Sequence, residues 1–528
     1  MPRSLRVRLS VMMFLQYAVM GLWAVTLPTF LKATPLEGGL NLSARDVGLI
    51  YGTLALGATV APLFVGLLAD RLFAIQRVLT VLHLVGAVLL ILTARTCTAH
   101  RDELGYVFGK LTMAEPVGDV ELWRLLWEKD SLEYYLSNPT GYRRPPVVTP
   151  LPPYVQKVFN WLGIRPRARV RLDHPLVWGT PEAGRVRLAE LDQLTRPAVA
   201  RVLVHPELSA TARAAVGPLF GLLLAYACFY LPTITLANAL AFRNLSDPAH
   251  QFGQVRAFGT IGWIAAGLLV GALMPAVSPA PLVAAAVAAI GLAIFALFLP
   301  HTPPAGQART LGDALGLPAL RMLADRSFLV FVLTAVASSF LMAFHNVFTN
   351  PFLVDLGVPA AAAVQTLGQY TEVLGILLIP VIRSRIGTKR LLVVGLVASA
   401  GRFLGYASQT WPGVLAFGLP LHGIGFSFFY ITAAIYVDQQ APSDLRASAQ
   451  GLVTLLTVGA GAMAGNWFAG RVVDFHTAGG AVDWGSVWLV PAVGTLIAAC
   501  GFVMLFREPT QQPPIPDEIV PDVEVPGA

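Results

Sequence analysis

Residues 369–400 read QYTEVLGILLIPVIRSRIGTKRLLVVGLVASA. An apolar run, a short turn carrying Arg383, Arg385, Lys389 and Arg390, and a second apolar run follow one another. Two apolar helices joined by a basic turn describe a membrane hairpin whose turn stays on the cytoplasmic side. One feature does not fit a plain lipid-facing helix. Glu372 stands inside the first apolar run, where an ionisable group is costly and therefore points to a functional role.

The same pattern extends over the whole chain. Of 528 residues, 55% are hydrophobic and 13% charged, and the mean hydropathy is +0.65. A soluble domain carries about 25% charged residues. Apolar stretches of about 20 residues recur, enough to cross a bilayer. They fall at about 9–31, 46–68, 78–96, 214–240, 254–276, 279–300, 327–353, 358–381, 390–408, 411–436, 444–470 and 485–506. The fold class expected is an all-α polytopic membrane protein with twelve spans. The first run continues through Trp23 and Pro28 without a small-residue cleavage site, so it reads as a retained helix.

The net charge of +7 follows from loop arginines and lysines and is not a nucleic-acid signature. With the N-terminus inside, Arg3, Arg6, Arg8, Arg71, Arg77, Arg243, Arg309, Arg321, Arg326 and Arg446 join the basic residues of 383–390 in the cytoplasm. The outer loops keep little beyond Lys32, Arg45 and Arg471. This asymmetry puts both termini inside. Cys97, Cys228 and Cys500 build neither a disulfide framework nor a metal cluster. No phosphate-cradling loop, nucleophile elbow or zinc spacing is present, so no enzyme, metal or cofactor is expected.

The chain divides into 1–96 (spans one to three), an insertion at 97–213, 214–300 (spans four to six), a connector at 301–326, 327–506 (spans seven to twelve) and a tail at 507–528. The insertion lies outside by the charge rule. Within it, 120–136 and 151–163 have amphipathic helical spacing and could form a cap or lie on the membrane surface. GLLADRLFAIQRVL (66–79) and PVIRSRIGTKRLL (380–392) link the second to the third span of each half. Two similar six-helix units suit a transporter with its site between repeats.

The turn holding Gly66, Ala69, Asp70 and Arg71 resembles the loop signature of the major facilitator superfamily. FSFFYITAAIYVDQQAPSDLRASAQG (426–451) with VDWGSVWL (482–489) resembles the nucleoside:proton symporter family within it. FLQYAVMGLW (14–23), VRAFGTIGW (255–263), FHNVFTNPFL (344–353) and QYTEVLGILLIP (369–380) are similar to that family in the matching spans. The likeness covers nearly everything except the insertion. It implies the major facilitator fold, proton-coupled import of nucleosides by alternating access, and a site at Arg256, Thr260, Trp263, Asn346, Gln369 and Glu372. It also implies a bacterial inner-membrane location. The family carries an acid where this chain has Ser427, and a site glutamine on span seven where this chain has Ala343.

Helical spacing leads to the same faces without the family. Gln365, Gln369 and Glu372 form one stripe, Arg256, Thr260 and Trp263 another, and Asn346 with Asn350 a third. Ser427 and Tyr430 lie together on span ten with Phe426 beside them. An aromatic face from Trp263, Phe426 or Tyr430 suits a base, and Gln369, Glu372, Asn346 and Arg256 suit ribose hydroxyls. Glu372 is the expected proton-coupling group. Asp70 and Arg71 are the expected cytoplasmic gate. His83, His345 and His422 read as packing histidines, and Arg402 as pairing with backbone or another helix. The expected partners are a nucleoside, protons and the lipid bilayer, with no nucleic acid, and the expected state is a monomer. A carrier for another small polar solute such as a sugar, and a non-transporting sensor using the insertion, stay open as alternatives.

Overall fold

The computed structural model describes residues 3–64, 73–137, 181–303, 316–442 and 445–508, with Gly312. They are almost all helical, apart from two short antiparallel hairpins, Pro116–Val117 with Val120–Glu121 and Thr477–Ala478 with Ala481–Val482. Among the described residues nine helical segments are long and apolar enough to cross a membrane, and Ala280–Ala296 is apolar but shorter. Inside each helix the backbone satisfies its own hydrogen bonds, which is what apolar surroundings demand.

The opening stretch folds as two helices within Leu367–Ala407, broken at Gly387. There φ is 81° and ψ 170°, a conformation that only glycine adopts without strain. The basic residues of the turn are tied to helix ends. Lys389 donates to the carbonyls of Val503 (3.0 Å) and Phe506 (2.6 Å), and Arg383 donates to Thr388 and Gln439. Cations on C-terminal carbonyls stabilise helix ends.

The first half repeats the arrangement. Ile75, opening the third span, donates to the carbonyl of Thr302, just after the sixth, at 3.0 Å. The Gln76 side-chain oxygen Oε1 accepts from the Thr302 N–H at 3.1 Å. In both halves the third helix is pinned to the end of the sixth. The two helices are thereby held side by side within each six-helix unit.

The third-span helix differs from expectation. It runs from Ile75 to Ala114, 40 residues, and does not stop at 96. At 1.5 Å per residue that is about 60 Å, twice a bilayer's hydrocarbon core of about 30 Å. Past residue 96 its apolar residues are periodic, not continuous. Leu104 and Phe108 remain buried and share one core cluster with Leu122, Leu126, Val202 and Leu208. The insertion therefore grows out of the helical core. Of its two expected helices, 120–136 is found at Leu122–Ser137, while 151–163 lies outside the described residues.

Leu122–Ser137 pairs with Pro181–Leu203 through salt bridges of Arg187 with Glu128 (2.9 Å) and Lys129 with Asp192 (2.8 Å). Lys129 and then Arg196 hold the Asp192 carboxyl below the usual aspartate range.

Hydrogen bonds and an ion pair join described residues of the two halves at one end, the end that carries the insertion. Thr29 donates to the Asn350 side-chain oxygen at 2.6 Å, Lys32 lies 3.6 Å from Asp355, and Asp474 accepts backbone N–H groups of Ala44 and Arg45. These are the hydrogen bonds and ion pair that join described residues of the two halves. Glycines permit the approach. A Cβ on Gly48 would stand 2.1 Å from the Asn466 carbonyl oxygen, and one on Gly470 2.3 Å from that of Ala44.

Candidate functional site

Arg256 and Thr260 lie on Pro248–Leu273, which packs tightly on the first helix, Arg3–Trp23. A Cβ on Gly262 would stand 2.1 Å from the Phe14 carbonyl oxygen, so only glycine lets the two helices come this close. The Arg256 guanidinium is seated 4.0 Å above the ring of Tyr17, a cation–π contact. Tyr17 was not singled out by spacing. Its contact with Arg256 is between helices and leaves no mark on either one's periodicity.

Tyr17 is within electrostatic reach of both Arg256 and Glu372, and Glu372 is within reach of Arg256. Among the described residues no ion pair at 4.0 Å joins Arg256 to Glu372. One cation from the first half and one acid from the second thus lie within electrostatic reach of each other without forming an ion pair. Arg256, Thr260, Trp263, Gln369, Glu372, Phe426 and Tyr430 are all half-buried, and Asn346 is exposed.

Other expected members are occupied elsewhere. Ser427 is 0% exposed. Its hydroxyl donates to the Gly423 carbonyl at 2.8 Å, and it rests against Gly375. Ser427 is therefore a packing residue between the eighth and tenth spans and does not face the gap. The reason is local: Phe426–Ile431 is a π-helical turn, and its i→i+5 hydrogen bonding changes which side chains share a face. Phe426 and Tyr430 still stack, with ring centres 5.4 Å apart. Asn350 is buried and taken by Thr29. Gln365 donates to the Ala361 carbonyl at 3.3 Å. Asp70 and Arg71 lie outside the described residues.

The histidines divide. His83 is buried and hydrogen-bonded to Gln16 at 3.0 Å, with Gln16 donating to Thr233 at 2.7 Å, a sealed packing network. His345 and His422 stack face to face, 4.0 Å between ring centres. Arg402, 1% exposed, contacts His422 Nδ1 at 2.8 Å. Its pairing with another helix is the expected one.

A recess of about 830 Å³ lies at the insertion end. Lys32, Asp355, Asp474 and Trp484 line it, with Arg213 from the insertion. None of the expected substrate residues does. It sits beyond the contacts that join the halves, not between Arg256 and Glu372.

A family model described as nucleoside H+ symporter matches residues 3–104 and 198–511, most of the chain. The unmatched internal stretch, 105–197, falls inside the insertion. The putative nucleoside transporter YegT of Escherichia coli K12 is 38% identical over 308 residues, covering 55% of this chain and 72% of that protein. The xanthosine permease of the same organism is 25% identical over 524 residues, covering 96% of each. A crystal structure of the nucleoside transporter NupG superposes with a TM-score of 0.67 at 23% identity, covering 96% of this chain and all of that one. An inward-open structure of the xylose transporter XylE from E. coli gives 0.53 at 12% identity, over 96% of this chain and 98% of that one. These superpositions establish the major facilitator fold. The chain belongs to the nucleoside H+ symporter family.

Proposed function

We propose that this protein imports nucleosides together with protons by alternating access across a bacterial inner membrane. In this reading it crosses the membrane twelve times as a monomer, with both termini cytoplasmic and the insertion outside. The observation that carries it is Arg256 and Glu372, one from each half, both half-buried and within electrostatic reach without an ion pair between them. Among the described residues the hydrogen bonds and ion pair between the halves gather at the insertion end, which supports a gap open toward the connector end. That is an inward-facing arrangement.

Arg256, Thr260, Trp263, Asn346, Gln369, Glu372, Phe426 and Tyr430 supply what a nucleoside needs. Rings offer a stacking surface for the base, and amides and charges bind ribose hydroxyls. Glu372 carries the coupled proton. In an open, wet gap its charged form is favoured, and in a closed, dry one the neutral form. A carboxyl that meets one side and then the other therefore moves protons with the substrate. Asp70 and Arg71 act as the latch of the cytoplasmic side.

The test is radiolabelled uridine uptake into proteoliposomes, with and without an inward proton gradient. Gradient-stimulated uptake, blocked by excess adenosine and indifferent to sugars, is the expected result. Competition by a sugar alone would favour a sugar carrier. The recess lined partly by the insertion supports a second reading, a ligand sensor. Nucleoside binding that survives excision of the insertion speaks against it.

A further inference from the structure

Arg402 is a buried cation whose guanidinium has no carboxylate within 4.0 Å among the described residues. Its partners are the ring of Phe403, 4.3 Å away, and Nδ1 of His422, at 2.8 Å. A guanidinium only donates. His422 Nδ1 must therefore accept, which leaves its proton on Nε2. A second proton would set an N–H against an N–H and two positive charges side by side.

His422 is 7% exposed, and its other edge borders the eighth span. His422 Nε2 makes no hydrogen bond to a described residue, yet it is absent from the sealed, unpartnered atoms, which include Nε of Arg402. Cδ2, bonded to Nε2, lies along the eighth span, where a Cβ on Gly368 would reach it at 2.8 Å. Gln369 and Glu372 follow on that helix. His422 is one turn from Phe426 on its own helix, with ring centres 6.2 Å apart. It stacks on His345, next to the exposed Asn346.

We propose that Arg402 is a positioning residue that fixes His422 as the neutral Nε2–H tautomer, making His422 a specificity-determining donor to an acceptor atom of the nucleoside base. The proposal rests on the symporter reading above. The charged and titratable groups touching His422 among the described residues are Arg402 from span nine and His345 from span seven, with Tyr406 stacked on the far side of His345. Arg402 is the one in hydrogen-bond contact with it. While that contact holds, His422 does not take up a proton, and its donor persists where a free histidine would titrate.

Imidazole nitrogen resonances of ¹⁵N-histidine-labelled full-length protein test this, assigned with His345→Gln and His422→Gln. In the parent, His422 is expected as Nε2–H with a bare Nδ1 from about pH 5 to 8. An Nδ1–H tautomer or a charged ring at neutral pH overturns the proposal without any variant. Arg402→Met should let His422 titrate in that range, and an unchanged spectrum overturns the positioning role. Uridine should shift the His422 Nε2 signal. His422→Gln, which keeps a donor, should bind uridine within about threefold of the parent, and His422→Leu about tenfold more weakly. If calorimetry detects uridine binding but the signal is still and both variants bind like the parent, the recognition role falls and the symporter reading stands. If uridine does not bind at all, both fall.

Discussion

The carboxylate of Asp474, in the second half, accepts the backbone N–H of Arg45, in the first half, at 2.9 Å. The neighbouring Ala44 N–H reaches the other oxygen of the same carboxylate at 2.7 Å. An acid of one half thus caps the N-terminus of the helix Ala44–Phe64 of the other. N-terminal N–H groups lack partners within their own helix and carry the positive end of its dipole. The cap exists only while the insertion end is closed.

Asp474→Ala should therefore shift the population away from this closed form. The loss of a charged N-cap is worth about 0.5–2 kcal/mol, a roughly two- to thirtyfold change in the equilibrium. Spin labels on the insertion-end tips of the two halves would register it as a longer distance. Identical distance distributions in parent and variant would remove Asp474 from the latch.

Gly48 is the steric counterpart. With a Cβ there 2.1 Å from the Asn466 carbonyl, Gly48→Ala cannot close as the parent does, because backbone on both sides would have to move. Uptake should fall strongly while nucleoside affinity from the insertion side is retained. Normal uptake by the variant would mean that closure does not require this approach.

Glu372→Gln tests the proton carrier. The amide keeps an acceptor and gains a donor, so nucleoside binding and exchange of labelled for unlabelled nucleoside should continue. Accumulation driven by a pH gradient should disappear. If Glu372 were only a ribose ligand, affinity would drop but uptake at saturating substrate would still follow the gradient.

Trp263→Ala tests the stacking surface. It should weaken nucleoside binding by about 1–3 kcal/mol, the range found for base–aromatic stacking. Unchanged affinity by calorimetry takes Trp263 out of the site and leaves it as packing against the first helix.

For the insertion, the sign of the pH effect is fixed. The Asp192 carboxyl is held below its ordinary value of 3.8 by Lys129 and Arg196, so its stabilising contribution is present above that pH and is lost as pH falls through the lowered value. Asp192→Asn should abolish it at every pH. Because the pair is partly exposed, the loss should stay under about 1 kcal/mol. Hydrogen exchange along Pro181–Leu203 at pH 5 would detect it as faster exchange in the variant only.

The sequence by itself determined what is local. Apolar runs became helices because a span satisfies its backbone without help from other elements. The turn at Gly387 was legible as glycine among basic residues between two runs. Glu372 was legible as an acid inside an apolar run. The stripes Arg256–Thr260–Trp263 and Gln369–Glu372 remained partly open, as spacing on a regular helix predicts.

Only the tertiary structure decided which polar group meets which. Asn350 shares a stripe with Asn346, yet Thr29 of the other half seals it. Ser427 left the gap because a π turn rotated it onto Gly375. Tyr17 beneath Arg256 and His422 against Arg402 are pairings between helices. The third helix outruns the bilayer because the insertion covers its later apolar residues. Each of these depends on a partner distant in the chain, and a hydrogen bond or a close approach between helices is specified by both surfaces together, which no single helix's periodicity records.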